Sequence, residues 1–149
     1  FDVIHVSGRR DFPELQERLA QAEFGDGYTL LEYEPDMGDC LAACDLVLGR
    51  SGGSVFELTA RGRPAILVHY PHATGDHQAA NADWMTTAGA AVVIRDDELD
   101  ADRVALEVGN ILSDPVRLVE MVAGSARLAR PDAAQDVAEK ILEVAKEKQ

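Results

Sequence analysis

Between Asp45 and Ala82 the sequence DLVLGRSGGSVFELTARGRPAILVHYPHATGDHQAANA gathers most of the side chains in this protein that could hold a polar ligand. The apolar run Leu46-Val47-Leu48 leads into Arg50-Ser51-Gly52-Gly53-Ser54, and a helical pattern carrying Glu57 follows. Glycines let backbone amides approach a ligand, and a helix start adds partial positive charge. Such a turn can cradle a diphosphate through amides and hydroxyls, with Arg50 as a nearby charge. On the inward face of the helix, Glu57 could accept both hydroxyls of a ribose, as acidic residues do in dinucleotide sites. A second apolar run, Ala65 to His69, ends in a polar loop from Pro71 to Asp76, after which Gln78 and Asn81 share one helical face. Carboxamides both donate and accept, which suits sugar hydroxyls.

Each of these features also has an ordinary structural reading. The glycine turn is neither GxGxxG nor a P-loop, and glycine-rich strand-to-helix connections are common. Glu57 reads equally as a solvated helix glutamate, and Asp76 to Asn81 as a helix cap followed by an exposed polar face. His72 and His77 suggest zinc, yet no cysteine or further histidine lies at ligand spacing. The Arg50 to Gly53 turn lacks the GxSxG elbow of a serine hydrolase. Cys40 and Cys44, in CLAAC, form neither a CxxC redox pair nor a zinc ligand set and read as buried small hydrophobes. Two unpaired thiols fit a reducing compartment.

Positioning these groups requires an alternation of strands and helices. Short apolar runs recur at Val3 to Val6, Tyr28 to Leu31, Leu46 to Leu48, Ala65 to Val68 and Ala91 to Ile94. Helical periodicity predicts helices over 13–23, 36–44, 53–62, 76–88, 100–113, 115–129 and 132–147. Asp11 is placed to cap the first helix with Pro13 just inside it, while Gly62 and Gly89 close two others. Asp114-Pro115 and Arg130-Pro131 divide the C-terminal region, because proline disfavours helix at the residue before it. The pattern predicts an α/β fold, a Rossmann-like parallel sheet with helices on both faces, in a single domain over 1–149. Doubly wound domains open on a strand and a glycine-rich turn at the middle of the sheet, whereas this chain begins on what resembles the second strand. Val3 to Val6 and Leu46 to Leu48 would then flank a gap, which a preceding segment is expected to fill.

Composition narrows the partners. With 149 residues and 46% hydrophobic content the chain can bury a sizeable core. A formal charge of −13 opposes the basic surface of a nucleic-acid binder. Much of that charge reads as solvated helix, as in Glu139, Glu143 and Glu147. No apolar run reaches the roughly 18 to 20 residues that span a bilayer. Phe1 opens a strand-like segment without an export signal, and whatever precedes it is expected either to have been removed or to belong to a longer chain.

Taken in order, DLVLGRSG, Glu57-Leu58, Gly62 to Val68, Tyr70-Pro71-His72-Ala73, Asp76-His77-Gln78, Asn81-Ala82 and Ala88 to Ala91 closely resemble the C-terminal half of the MurG-type glycosyltransferases. These are GT-B enzymes of bacterial cell-wall synthesis, and weaker similarity runs from Val3 to about Leu142. The resemblance implies the C-terminal half of a GT-B fold, lacking its first strand and helix. It implies an inverting transfer of N-acetylglucosamine from UDP-N-acetylglucosamine to lipid I, forming lipid II, without an obligatory metal or other cofactor. Glu57 matches the ribose-binding glutamate, and Gln78 and Asn81 match positions that hold the donor sugar. His72 falls within a matching word of the donor loop. Tyr33 and Glu34, in LLEYEPDM, match the strand-end loop that recognises uracil, and Ser51 to Ser54 would face the diphosphate.

Two departures qualify this. From Arg50 to Glu57 the chain has one residue fewer than the commoner RSGxxTxxE spelling, which leaves open which amide meets which phosphate. The family's GGSxGA turn and its acceptor-binding domain, with the catalytic base, are absent, so no catalytic residue is expected here. Lipid I and the cytoplasmic face of the bacterial membrane would be engaged through that missing domain, and the fragment alone is expected to be inactive. The alternatives are the donor half of another UDP-sugar transferase, with a glycolipid or polyketide acceptor, and a donor-binding subunit that works only with a separate membrane partner.

Overall fold

Short β-branched and aliphatic runs bounded by glycine, proline and aspartate favour buried parallel strands. Five such runs are strands in the computed structural model, which describes residues 1–22, 27–69 and 77–147. The order is β1 (Val3–Val6), α1 (Phe12–Gln21), β2 (Tyr28–Leu31), α2 (Met37–Ala43), β3 (Val47–Arg50), α3 (Val55–Ala60), β4 (Ala65–His69), α4 (His77–Thr87) and β5 (Ala91–Arg95). A 3-10 turn, Asp96–Glu98, then leads to α5 (Ala101–Leu112), α6 (Pro115–Arg127) and α7 (Ala133–Glu147). The expected α/β alternation holds from β1 to β5, and three successive helices follow. The third strand starts one residue later than expected and runs on through Arg50.

The strands form two parallel sheets, β1-β2 and β3-β4-β5. The chain divides into two compact units, Phe1–Cys40 and Leu41–Gln149. In the first, β1 and β2 pair in register from Val3 opposite Tyr28 to Val6 opposite Leu31. His5 Nδ1 and the Tyr28 hydroxyl lie 2.6 Å apart. Asp11 does not cap α1: its backbone is already helical, and its carboxylate accepts from Arg10 Nε at 2.9 Å instead.

In the second unit β4 is the central strand, and Ala65, Ile66, Leu67 and Val68 are all buried. Ile66, Ile94, Ile111 and Met121 form a core cluster between the sheet and helices α5 and α6. Burying each such side chain contributes roughly 1.5 to 3 kcal/mol, which outweighs the weak intrinsic preference of a four-residue strand. Side-chain caps and glycines close the helix ends of this unit. Asp100 caps α5 by accepting from Arg103 N, and Asp114 caps α6 by accepting from Val116 N and Arg117 N. Gly62 and Gly89, at φ +63° and +72°, end α3 and α4 in left-handed closing turns, with bonds from Arg63 N to Leu58 O and from Ala90 N to Met85 O.

Long-range hydrogen bonds fix the connections. Arg63 donates to the carbonyls of Cys44 and Ala42, tying the end of α2 to the start of β4. Ser125, fully buried on α6, donates to the Arg63 carbonyl at 2.8 Å. Cys40 and Cys44 are half-buried and not fully enclosed as expected. Helix α7 is exposed along its described side chains, including Val137, Ile141 and Val144, which recur at helical spacing on one face.

Candidate functional site

In parallel α/β sheets, ligands bind at the carboxyl ends of the strands, where loops and helix starts converge. At that end of β3 the chain passes from Arg50 through Ser51 to Ser54 into α3. Val55 N donates to Gly52 O, Phe56 N to Gly53 O, and both Glu57 N and Leu58 N to Ser54 O. The amides of Gly52, Gly53 and Ser54, in contrast, reach no main-chain carbonyl among the described residues. A β-carbon built on either Gly52 or Gly53 would meet nothing within 4 Å. Uncommitted amides beside open space are the arrangement an anion needs.

The surrounding side chains differ in availability. Ser51 is fully buried, and its hydroxyl has no hydrogen-bond partner among the described residues. Ser54 is exposed, and its hydroxyl makes no capping bond to α3. Glu57 lies exposed in the first turn of α3, where the helix dipole favours a carboxylate. Arg50 is half-exposed and ion-paired with Asp96, just beyond β5, so its guanidinium reaches across the end of β4. Sequence reasoning missed Asp96; its place beyond the β5 strand end, two strands from β3, is the signal that could have found it.

Gln78 and Asn81 both lie on α4. The Gln78 side-chain oxygen is buried and has no hydrogen-bond partner among the described residues. Asn81 Nδ2 donates to Ser51 O at 3.0 Å and to Gly52 O at 3.3 Å, so the structure joins this carboxamide to the glycine turn. The Phe56 ring of α3 and the Trp84 ring of α4 pack with centroids 5.5 Å apart. His72 and the loop from Pro71 to Asp76 lie outside the described residues.

The first unit carries its own strand-end cluster. After β2, the Glu34 carboxylate accepts from Asp36 N at 2.8 Å. The Arg9 guanidinium, beyond β1, stands 5.4 Å over the exposed Tyr33 ring. That stacking holds the ring by cation–π attraction and was not foreseen from the sequence. No helix among the described residues is long and apolar enough to cross a membrane.

Residues 1–137 match the model of the glycosyltransferase family 28 C-terminal domain. The chain is 48% identical over 146 residues to a protein of Chlorobium limicola named UDP-N-acetylglucosamine--N-acetylmuramyl-(pentapeptide) pyrophosphoryl-undecaprenol N-acetylglucosamine transferase, covering 97% of this chain and 39% of that protein. A protein of the same name from Rubrobacter xylanophilus is 38% identical over 148 residues, covering 99% of this chain and 42% of its own length. The chain thus spans about two fifths of the length of these curated relatives. Among solved structures, Acinetobacter baumannii MurG superposes with a TM-score of 0.82 at 27% identity, over 95% of this chain and 43% of that one. The glycosyltransferase VinC, solved in complex with dTDP, shares the fold at a TM-score of 0.70 and 18% identity, over 98% of this chain and 34% of its own.

Proposed function

The chain belongs to the glycosyltransferase family 28 C-terminal domains, and from that membership we propose that it is the donor-binding part of a longer N-acetylglucosaminyltransferase. The donor is UDP-N-acetylglucosamine and the acceptor is lipid I, as in the reaction for which the relatives are named. The muramyl 4-hydroxyl of lipid I attacks the anomeric carbon of the donor sugar, that carbon inverts, and UDP leaves. Acceptor binding, the catalytic base and contact with the cytoplasmic membrane face belong to the length of the relatives that this chain does not span.

Within this domain the chemistry is binding and charge stabilisation. The Gly52, Gly53 and Ser54 amides meet the diphosphate, Ser51 shapes the turn from inside, and Arg50 adds positive charge. Preorganised donors aimed at a leaving diphosphate lower the barrier because they need no rearrangement as negative charge develops. Glu57 takes the ribose hydroxyls, Gln78 the sugar, and the Tyr33-Glu34 loop the uracil; His72 belongs to the donor loop. Asn81 was expected at the sugar as well.

The observation that carries this reading is the row of uncommitted amides beside open space at the end of β3. Calorimetric titration of the full-length protein with UDP-N-acetylglucosamine and UDP-glucose tests it. Tighter binding of UDP-N-acetylglucosamine, with transfer to lipid I, is expected. Preference for UDP-glucose would assign the domain to a different transferase, and failure to bind either would end the donor-binding reading.

A further inference from the structure

We propose that Asn81 positions the diphosphate turn from behind through its amide nitrogen; this rests on the donor-binding reading above. A primary carboxamide has two N–H donors. Asn81 Nδ2 lies within hydrogen-bond distance of two consecutive carbonyls, Ser51 O at 3.0 Å and Gly52 O at 3.3 Å. These carbonyls lie thirty and twenty-nine residues away in sequence, so the bonds join α4 to the β3–α3 turn and are not local capping.

The peptide geometry gives this contact its consequence. In a trans peptide the C=O of one residue and the N–H of the next point in opposite directions, and this chain has no cis peptide among the described residues. Holding Ser51 O toward α4 therefore turns Gly52 N–H away from α4, and holding Gly52 O turns Gly53 N–H away. Those are two of the three amides that lack a main-chain acceptor, and the space beside both glycines is open. Asn81 fixes the orientation of the anion-binding amides without touching the anion. A buried Ser51 and a half-buried Asn81 leave the inner side of the turn closed to a ligand.

Gln78 lies three residues earlier on the same helix and is left to face the sugar.

The test compares ligands with and without the sugar in the full-length enzyme. Asn81→Ala removes the two donors, and Asn81→Asp replaces them with an acceptor of the same shape facing two carbonyls. UDP and UDP-N-acetylglucosamine are each titrated calorimetrically. Turn positioning predicts that both ligands weaken by the same factor, roughly tenfold or more, and more for Asn81→Asp than for Asn81→Ala. The ratio of the two affinities stays at its wild-type value. If UDP binds as tightly as before while UDP-N-acetylglucosamine weakens, Asn81 is a sugar contact and the proposal is wrong. Should Asn81→Ala melt below the assay temperature, Asn81→Ser, with one shorter donor, gives the same comparison. A wild-type enzyme that binds neither ligand would overturn the donor reading and this inference with it, an outcome distinct from a changed affinity ratio.

Discussion

Gly124 on α6 passes so close to Ala88 that a β-carbon at Gly124 would stand 2.5 Å from the Ala88 carbonyl oxygen. It would also lie 3.0 Å from the Gly89 carbonyl carbon and 3.1 Å from the Ala90 nitrogen. All three are main-chain atoms of the turn between α4 and β5, and cannot rotate away. Gly124→Ala should therefore destabilise the protein by about 1 to 3 kcal/mol, even though alanine improves helix propensity by about 1 kcal/mol. Urea denaturation measures this. An unchanged midpoint would mean that α6 can slide off the turn at no cost.

Gly53→Ala should behave in the opposite sense. Its β-carbon meets nothing within 4 Å, and its φ is outside the left-handed region, so the fold accommodates it. The variant is expected to be as stable as the parent or slightly more stable, by up to about 1 kcal/mol, through the unfolded state. Its methyl group would occupy the open space beside the uncommitted amides, so UDP affinity should fall roughly tenfold. Unchanged UDP affinity by calorimetry would remove Gly53 from the cradle.

Glu57→Ala separates binding from stability in the same way. The side chain is exposed in the first turn of α3, and its loss should cost less than about 1 kcal/mol of stability through the helix dipole. In the full-length enzyme, kcat/KM for donor should drop by a factor corresponding to about 1 to 3 kcal/mol, if a charged bond to ribose is lost. Donor kinetics identical to wild type would take the ribose role away from Glu57.

Ser125→Ala tests the opposite end of the unit from the site. The hydroxyl is fully buried and bonds the Arg63 carbonyl at 2.8 Å, so its removal leaves a buried acceptor unpaired. A loss of about 1 to 3 kcal/mol is expected in denaturation, with donor KM unaltered at temperatures where the variant stays folded. A raised donor KM in the folded variant would show that the Arg63 connection reaches the site.

Much of this was legible in the sequence, and the reasons are local. Strands such as Ala65–His69 are short aliphatic runs between punctuating residues, and Gly62 and Gly89 mark helix ends because only glycine adopts their φ without strain. The glycine turn and Glu57 were legible as types in order. What sequence could not show is where a polar side chain spends its hydrogen bonds. Asn81 and Gln78 share spacing and chemistry, yet the donors of one are taken by a turn far away in the chain while the oxygen of the other is left bare. Arg50 reads as a free cation until β5 brings Asp96 to it. Asp11 reads as a cap, but the adjacent Arg10 competes for its carboxylate. Long-range competition of this kind depends on packing, and no periodicity records it.

No described side chain of helix α7 is buried in the unit whose centre is β4. An isolated fifteen-residue helix is marginal in water, while the bonds of a central strand open only when the whole sheet does. Amide exchange along this chain should therefore fall into two regimes: α7 exchanging through fraying in seconds or less, and Ile66 to Val68 exchanging only through global unfolding. A single melting temperature would describe the second population and overlook the first.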